Sequence, residues 1–123
     1  MTITDMLIDA HETAKEHGWW DDYFTATEFG PAYNMAKIRA SIPEKLCLIH
    51  SEVSEALEDY RVGKLFEVPN DKGKPEGLPT ELADIVIRVA DLSAALGIDL
   101  EATIARKLAY NKTRSHRHGG KVC

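Results

Sequence analysis

The chain has 123 residues, of which 44% are hydrophobic and 28% are charged, and its formal net charge is −5. These values are typical of one soluble globular domain and exclude a disordered or membrane-embedded chain, although a partner subunit would help to complete so small a core. No acidic residue follows Glu101, and six basic residues lie in 102–123. This acidic body with a basic end does not resemble a binder of duplex DNA, which would spread positive charge over one face.

The first residues mix acids and a histidine with apolar side chains, so they lack the continuous apolar stretch of a signal peptide. We therefore expect a cytoplasmic protein with no membrane partner. Cys47 and Cys123 are the two cysteines, which is too few for a disulfide framework or a metal–thiolate site.

The apolar pattern predicts a first helix from about Thr4 to His17, which Gly18 ends, and a short helical segment from Pro31 to Arg39. A second long helix is expected to start at a capping box, Ser41-Ile-Pro-Glu44, and to end near Gly63. Its core-facing positions recur at intervals of three and four residues: Leu46, Ile49, Val53, Ala56, Leu57 and Tyr60.

Three prolines and two glycines between Lys64 and Pro79 predict an irregular loop over about 64–79. A third helix follows from about Thr80 to Leu96, and Asp99 is placed to cap a fourth that runs to about Thr113. The residues from about 114 to 123 are predicted to be a basic tail. The chain is thus predicted to be a single all-α domain, residues 1–123.

Two carboxylate pairs stand out, Glu52-x-x-Glu55 on the second long helix and Glu81-x-x-Asp84 on the third. The i, i+3 spacing puts both members of each pair on one helix face. If the two pairs face each other, four negative charges come together and require a cation between them. Ligands that are all oxygen favour Mg²⁺ or Mn²⁺ over zinc.

The pattern of the third helix supports the presence of this cation. It is apolar around most of its circumference, and its charged residues fall in one stripe, so we expect Glu81 and Asp84 to border the interior. The second long helix has a similar stripe of Glu52, Glu55 and Asp59. The alternative is that both stripes are solvated and paired with Arg61 and Arg88.

The spacing of these pairs, separated by twenty-five residues, resembles the signature of the MazG-like all-α nucleoside triphosphate pyrophosphohydrolases. The similarity extends from Trp19 to the tail and includes the segments HSEVSEALEDYR, GLPTELADIVIRVADL and HGGK. It implies a four-helix MazG-like bundle core that is completed by dimerisation or tetramerisation, often with sites lined by both subunits. It also implies hydrolysis of a nucleoside triphosphate to the monophosphate and diphosphate.

The resemblance further implies Mg²⁺ held by Glu52, Glu55, Glu81 and Asp84, with Mn²⁺ able to substitute and two or three ions per site. It places the Glu52–Glu55 pair nearest the attacking water, so Glu55, with Glu52, is the candidate catalytic group. The fourth helix is basic near its end. Its residues Lys107, Asn111 and Arg114 are expected to bind the phosphate and sugar of the substrate.

A nucleotide enzyme also needs a flat apolar surface for the base. At least one of Trp19 and Trp20 is expected in the core or at a subunit interface, but Trp20, with Phe24 or Tyr33, is also a candidate for stacking. Asn34 is a candidate for hydrogen bonds to a base edge. His116 and His118 are assigned no metal.

The resemblance also implies deoxynucleotide substrates, with a purine such as dGTP as the working choice. One alternative within the resemblance is a phosphoribosyl-ATP pyrophosphohydrolase. A carboxylate-bridged di-iron bundle is disfavoured because neither pair has the Glu-x-x-His pattern. A third alternative is a non-catalytic helical dimerisation module, whose stripes would form interhelical ion pairs. No nucleic-acid polymer is expected as a partner.

Overall fold

A computed structural model describes residues 1–23 and 30–114 of the chain. Within these residues the protein is mostly helical, as predicted, and a short antiparallel pair of strands is the only addition. The elements in chain order are α1 (Ile3–Glu16), α2 (Gly30–Ala40), α3 (Ile42–Arg61), β1 (Val68–Pro69), β2 (Pro75–Glu76), α4 (Leu78–Ala95) and α5 (Leu100–Thr113). None of the helices in this described part is long and apolar enough to cross a membrane.

Helix α4 lies at the centre of the packing, with α1 and α3 as its two helical neighbours. Helix α5 contacts α1, and the start of α1 is tied to the start of α5 by the Glu101 carboxylate. That carboxylate accepts hydrogen bonds from the Ile3 backbone N–H at 3.2 Å and from the Thr4 hydroxyl at 3.0 Å. Since α5 has no buried residue, its position depends on such contacts at its first turn.

The helix ends follow local rules except at Ser41. The Asp99 side chain caps α5 as predicted, accepting a hydrogen bond from the Ala102 N–H at 3.0 Å. The predicted capping box at Ser41 is wrong, because α2 extends to Ala40 and leaves Ser41 with a helical backbone instead of the extended one that a cap requires. The Ser41 hydroxyl instead donates to the carbonyl of Ile38 at 2.6 Å and so completes the end of α2.

The segment predicted as an irregular loop contains a short hairpin. Strands β1 and β2 pair antiparallel, with Val68 opposite Glu76 and Pro69 opposite Pro75. Prolines are tolerated here because each strand of a two-stranded ladder has one edge that needs no donor. The presence of proline was therefore not sufficient to exclude strands, and α4 also begins two residues earlier than predicted, at Leu78.

Gly77 fixes the hairpin against the start of α4. Its φ of +112° lies in a region that side chains rarely adopt, and a Cβ at this position would lie 2.1 Å from the Phe66 carbonyl oxygen. The next residue, Leu78, donates its N–H to the Lys64 carbonyl at 2.9 Å. The chain before β1 and the first turn of α4 are thereby held together.

Helix α3 is oriented differently from the prediction. Of the six positions predicted to face the core, Ala56 is buried and Ile49 is half-buried. The other four, Leu46, Val53, Leu57 and Tyr60, are 48–63% exposed. The buried residues of α3 are Glu52 and Ala56, which lie on the side that faces α4. Within one chain, α3 therefore covers a carboxylate and leaves most of its apolar stripe open.

Candidate metal centre

The two carboxylate pairs meet where α3 packs against α4. One carboxylate oxygen from each of Glu52, Glu55 and Glu81 lies within 4.8 Å of the others. Asp84 lies outside this group of three but lines the same acidic cavity, which has a volume of about 410 Å³. The structure thus brings three of the four predicted metal ligands together and places the fourth beside them.

The charges in this acidic cavity are poorly compensated. Burial, reinforced by the negative charges of Glu55 and Asp59, raises the pKa of Glu81 to about 7. A hydrogen bond to Glu52, together with its charge, raises the pKa of Glu55. Burial and the Glu52 charge also raise the pKa of Asp84, although Arg88 and Lys74 offset part of that rise. Each shift indicates that the fold alone does not favour the ionised carboxylates.

Three polar atoms at this cavity are buried without a hydrogen-bond partner among the described residues. They are Glu81 Oε2, Asp59 Oδ2 and the Thr80 hydroxyl oxygen. An unsatisfied buried polar group costs about 1–3 kcal/mol. A water molecule would supply a partner but no charge, whereas a bound cation would satisfy the carboxylate oxygens and also neutralise the cluster. The residues present therefore fit a cation.

The donor set narrows the choice of cation. The group of three consists of carboxylates, without histidine or cysteine. Hard divalent cations such as Mg²⁺ and Mn²⁺ prefer oxygen ligands of this kind, whereas zinc sites usually include nitrogen or sulfur.

Glu52 has a second role because it pairs with Arg88. Arg88 Nε lies 2.6 Å from Glu52 Oε1, and the side chains are 38% and 10% exposed respectively. The ion-pair alternative is therefore correct for this one contact. Glu52 is also the most buried acid of the four, at 8% residue exposure, whereas Glu81 and Asp84 are half-buried, as expected for residues that border the interior.

The sequence reading missed several residues that line the acidic cavity. The hairpin and the residues beside it bring in two cations and a further acid, namely Lys64, Lys74 and Glu76. These residues lie in the segment predicted as a loop, and no local pattern indicates that a turn would place them beside α3 and α4. Asp59 was recognised in the acidic stripe, and its i, i+4 relation to Glu55 was the signal that could have added it to the site.

A larger apolar cleft, about 970 Å³ in volume, adjoins the acidic cavity between α1, α3 and α4. Glu52 and Asp84 line both spaces. The apolar wall includes Leu48 and the half-exposed residues Leu82, Val86 and Ile87 from α4. The first half of α4 is therefore open to this cleft, although a helix that is apolar around most of its circumference is normally buried.

Trp20 is a core residue, which corrects its predicted role in base stacking. It is 1% exposed, and its Nε1–H donates to Asp91 Oδ1 at 2.9 Å. The same carboxylate oxygen lies 2.7 Å from His11 Nδ1. Burial leaves no ring face for a nucleotide base, although it confirms that one of the two tryptophans belongs to the core. Trp19 is 64% exposed and lines the apolar cleft.

The remaining predicted binding residues lie away from the acidic cavity. Lys107, Asn111 and Arg114 are exposed on or just after α5, and none of them lines either cavity. Asn34 is half-buried on α2 and also lines neither. Phe24, His116, His118 and Cys123 fall outside the described residues.

The fold and the site define a helical protein with an oxygen-lined acidic cavity beside an apolar cleft. Comparisons of the chain with protein-family models, with curated proteins and with solved structures find no match. The similarity to MazG-like enzymes therefore depends on the carboxylate motifs and their flanking segments alone.

Proposed function

We propose that the protein is a Mg²⁺-dependent nucleoside triphosphate pyrophosphohydrolase that converts a deoxynucleoside triphosphate and water into the monophosphate and diphosphate. The observation that carries this proposal is the convergence of Glu52, Glu55 and Glu81 within 4.8 Å, next to a buried Glu81 oxygen that has no partner in the described structure. The resemblance of the two motifs to the MazG-like family supplies the reaction class.

In this proposal Glu52, Glu55, Glu81 and Asp84 hold two or three Mg²⁺ ions, and Mn²⁺ can replace them. Bound Mg²⁺ would neutralise charge on the phosphate oxygens and increase the acidity of a water molecule. Cleavage needs both effects, because the triphosphate is a polyanion and water is a weak nucleophile.

Glu55 is the proposed general base. Glu52 already pairs with Arg88, whereas Glu55 is exposed to the acidic cavity, and a hydrogen bond to Glu52 raises the pKa of Glu55, which makes its carboxylate a stronger base. Glu55 takes a proton from water as the water oxygen bonds to the α-phosphorus. The bond from that phosphorus to the oxygen bridging to the β-phosphate breaks, and diphosphate leaves with the electron pair.

A nucleotide is favoured over simpler polyphosphates because the acidic cavity adjoins an apolar cleft. A ligand that spans Glu52 and Asp84 would have its phosphates among the carboxylates and an apolar ring system beside Leu82 and Val86. Ligand sites commonly combine such an apolar wall with a few polar groups. A purine such as dGTP remains the working choice of base.

We also propose that the protein acts as a homodimer or homotetramer. The exposed apolar stripe on α3, formed by Leu46, Val53, Leu57 and Tyr60, needs a covering partner, and a second copy offers the same stripe. A neighbouring subunit could then bring Lys107, Asn111 and Arg114 of its α5 to the acidic cavity. The same stripe favours the second candidate, a non-catalytic dimerisation module.

One assay separates these candidates. The full chain is incubated with canonical and modified nucleoside triphosphates and with phosphoribosyl-ATP, in Mg²⁺, Mn²⁺ or EDTA, and diphosphate and phosphate are measured separately. We expect diphosphate release from a deoxynucleotide with either metal and none with EDTA. Phosphate release alone would overturn the cleavage position, and no turnover with stable dimers would favour the module.

The variant Glu55→Gln tests the catalytic role within the same assay. Turnover should fall by roughly 10²–10³-fold at saturating Mg²⁺, as expected when a general base is removed. The matched control is Glu58→Gln on the exposed side of α3, which lines neither cavity and should keep full turnover. Full turnover in Glu55→Gln would refute its assignment as the base.

A further inference from the structure

The hairpin gives the acidic cavity a positively charged wall that the predicted site did not include. Lys64, just after α3, and Lys74, on the turn before β2, line the same cavity as the carboxylates. Lys72, on the same turn, does not line it. Lys74 therefore has access to the cavity, and Lys72 on the same turn does not.

Asn70 fixes the backbone of Lys74. The Asn70 N–H donates to the Lys74 carbonyl at 2.8 Å, and Asn70 Oδ1 accepts from the Lys74 N–H at 3.0 Å. Asn70 Nδ2 also donates to Glu76 Oε1 at 3.0 Å. Both backbone groups of Lys74 are therefore held by one residue, the carbonyl by the Asn70 backbone and the N–H by the Asn70 side chain, so the backbone of this lysine is fixed.

Lys74 is not neutralised by an ion pair. Among the residues that the structure describes, no carboxylate lies within 4.0 Å of its ammonium group, whereas Lys64 Nζ lies 3.9 Å from Glu76 Oε2. Lys74 is nevertheless close enough to the cluster for its charge to lower the pKa of Asp84. It is a positioned cation that faces an acidic cavity without a partner of its own.

A bare cation site would not benefit from this lysine, because an ammonium group repels a metal ion bound nearby. A polyphosphate that carries a metal ion would instead benefit from a lysine beside the carboxylates. The metal satisfies the carboxylates, and the phosphate oxygens that the metal leaves free need charged donors such as lysine. The mixture of carboxylates and a free lysine therefore points to a metal–polyphosphate as the ligand.

We propose that Lys74 binds the phosphate oxygens of a metal-bound polyphosphate in the acidic cavity, so that the hairpin forms a phosphate-binding element within the same chain. This inference rests on the proposed function, since it takes the substrate to be a metal–triphosphate. It differs from the role expected for α5, because it needs no residue from a second subunit.

The test is calorimetric binding to the full-length wild type, Lys74→Ala, Lys74→Arg and the control Lys72→Ala. Each protein is titrated first with Mg²⁺ alone and then, at saturating Mg²⁺, with diphosphate and with inorganic phosphate. Lys74→Ala should bind magnesium diphosphate about 10-fold more weakly, as expected for the loss of one charge-assisted hydrogen bond. It should bind Mg²⁺ alone as tightly as the wild type or more tightly. Lys74→Arg should recover most of the diphosphate affinity, and Lys72→Ala should match the wild type.

The proposal would be overturned by unchanged diphosphate affinity in Lys74→Ala, by an equal loss in Lys72→Ala, or by no binding of magnesium diphosphate by the wild type. Tighter binding of inorganic phosphate than of diphosphate would also refute it, because the site would then fit a single phosphate. If the wild type binds magnesium diphosphate through Lys74 but cleaves no nucleotide, the proposed function fails and this inference stands. If it cleaves nucleotides and Lys74→Ala has an unchanged KM, the proposed function stands and this inference fails.

Discussion

The acidic cavity and the apolar cleft share Glu52 and Asp84 but differ in almost every other respect. The acidic cavity is small and contains carboxylates and lysines from α3, α4 and the hairpin. The apolar cleft has more than twice the volume and is lined mainly by aliphatic side chains of α1, α3 and α4. The same two helices therefore provide a charged surface and a hydrophobic one on either side of a single acidic boundary.

The difference between the two cavities helps to distinguish features that indicate ligand binding from features that reflect packing alone. An open apolar surface can be covered by a base, by another subunit or by solvent at modest cost. Buried carboxylates without partners cannot be left as they are at similar cost, because both the charge and the unsatisfied oxygen atoms oppose burial. The acidic cavity is therefore the stronger indicator of a ligand, and the apolar cleft indicates what else that ligand carries.

The largest expected effect on stability comes from removing the Glu52–Arg88 ion pair, which lies between the two cavities. Arg88→Met removes the cation paired with Glu52 and leaves a buried carboxylate uncompensated, which should cost about 3 kcal/mol in metal-free protein. Thermal unfolding in EDTA should show a fall in Tm on the order of 10 °C. Added Mg²⁺ should restore part of this loss, since it can replace the missing positive charge.

The control for Arg88→Met is Arg61→Met, because Arg61 is exposed at the end of α3 and lines neither cavity. Its Tm should change by a degree or two at most, as is usual for exposed charges. Equal losses in the two variants would contradict the view that the Glu52–Arg88 pair separates the two cavities.

A second variant perturbs the acidic cavity through its backbone. Gly77→Ala should destabilise the protein by about 2–3 kcal/mol, because the added methyl group meets the Phe66 carbonyl oxygen and the positive φ is strained. It should also weaken Mg²⁺ binding by moving the hairpin, while the apolar cleft keeps its shape. Urea unfolding and metal titration measure the two effects.

Gly73→Ala is the matched control for Gly77→Ala. Gly73 also has a positive φ, of +79°, but a Cβ there meets nothing within 4 Å. Its cost should be limited to about 1 kcal/mol of backbone strain. If both variants lose the same stability, the close contact with Phe66 does not position the hairpin.

A third variant fills the apolar cleft without touching the carboxylates. Ala83→Phe places a ring in the cleft at an exposed position of α4 and should raise the KM for the preferred nucleotide about 10-fold, since it competes with the base. Diphosphate affinity should stay at the wild-type value. The control Ala109→Phe, exposed on α5 outside both cavities, should leave both quantities unchanged.

The outcome of Ala83→Phe also distinguishes a base from a subunit as the occupant of the cleft. If the KM is unchanged while light scattering shows a change of oligomeric state, the cleft is a subunit interface. The assignment of the base to this cleft would then be wrong.

The sequence was a good guide wherever the relevant information is local. Helix bounds agree within about two residues because apolar spacing and caps such as Asp99 act within one or two turns. The convergence of Glu52, Glu55 and Glu81 was also predictable, since the i, i+3 spacing fixes each helix face and only the packing of α3 on α4 had to be supplied. Charge repulsion then predicted the need for a cation without reference to any coordinates.

Apart from the local error at Ser41, the main failures involve contacts between residues that are distant in the sequence. Trp20 was considered for base stacking because nothing nearby indicates that Asp91, seventy-one positions later, would accept its N–H. Lys74 was overlooked because only the hairpin brings it to the carboxylates. The orientation of α3 was misjudged because an apolar stripe normally faces the core of its own chain, whereas here the buried side carries Glu52.

The smallest expected effect is a pH dependence that belongs to the acidic cavity alone. The folded protein raises the pKa of Glu81 from an ordinary value of 4.5 to about 7, so between these pH values the native state binds more protons than the unfolded state. The contribution of this group to stability in EDTA should therefore be fully present below pH 4.5 and be lost as the pH rises through about 7. The expected fall in Tm over this window is a few degrees.

Mg²⁺ should reverse this trend, because carboxylates must lose their protons before they can ligate a metal ion. Glu81→Gln removes the group whose pKa is raised to about 7, so it should reduce the slope of the Tm profile in EDTA and also weaken the stabilisation by Mg²⁺. Glu58→Gln, outside both cavities, should keep the wild-type profile under both conditions. A profile that keeps its slope in Glu81→Gln would assign the pH dependence to other groups and remove one argument that the cavity is built for a cation. If the slope falls only in Glu81→Gln, the same side chain carries the unfavourable charge and the unsatisfied oxygen and also accounts for the effect of the metal on stability.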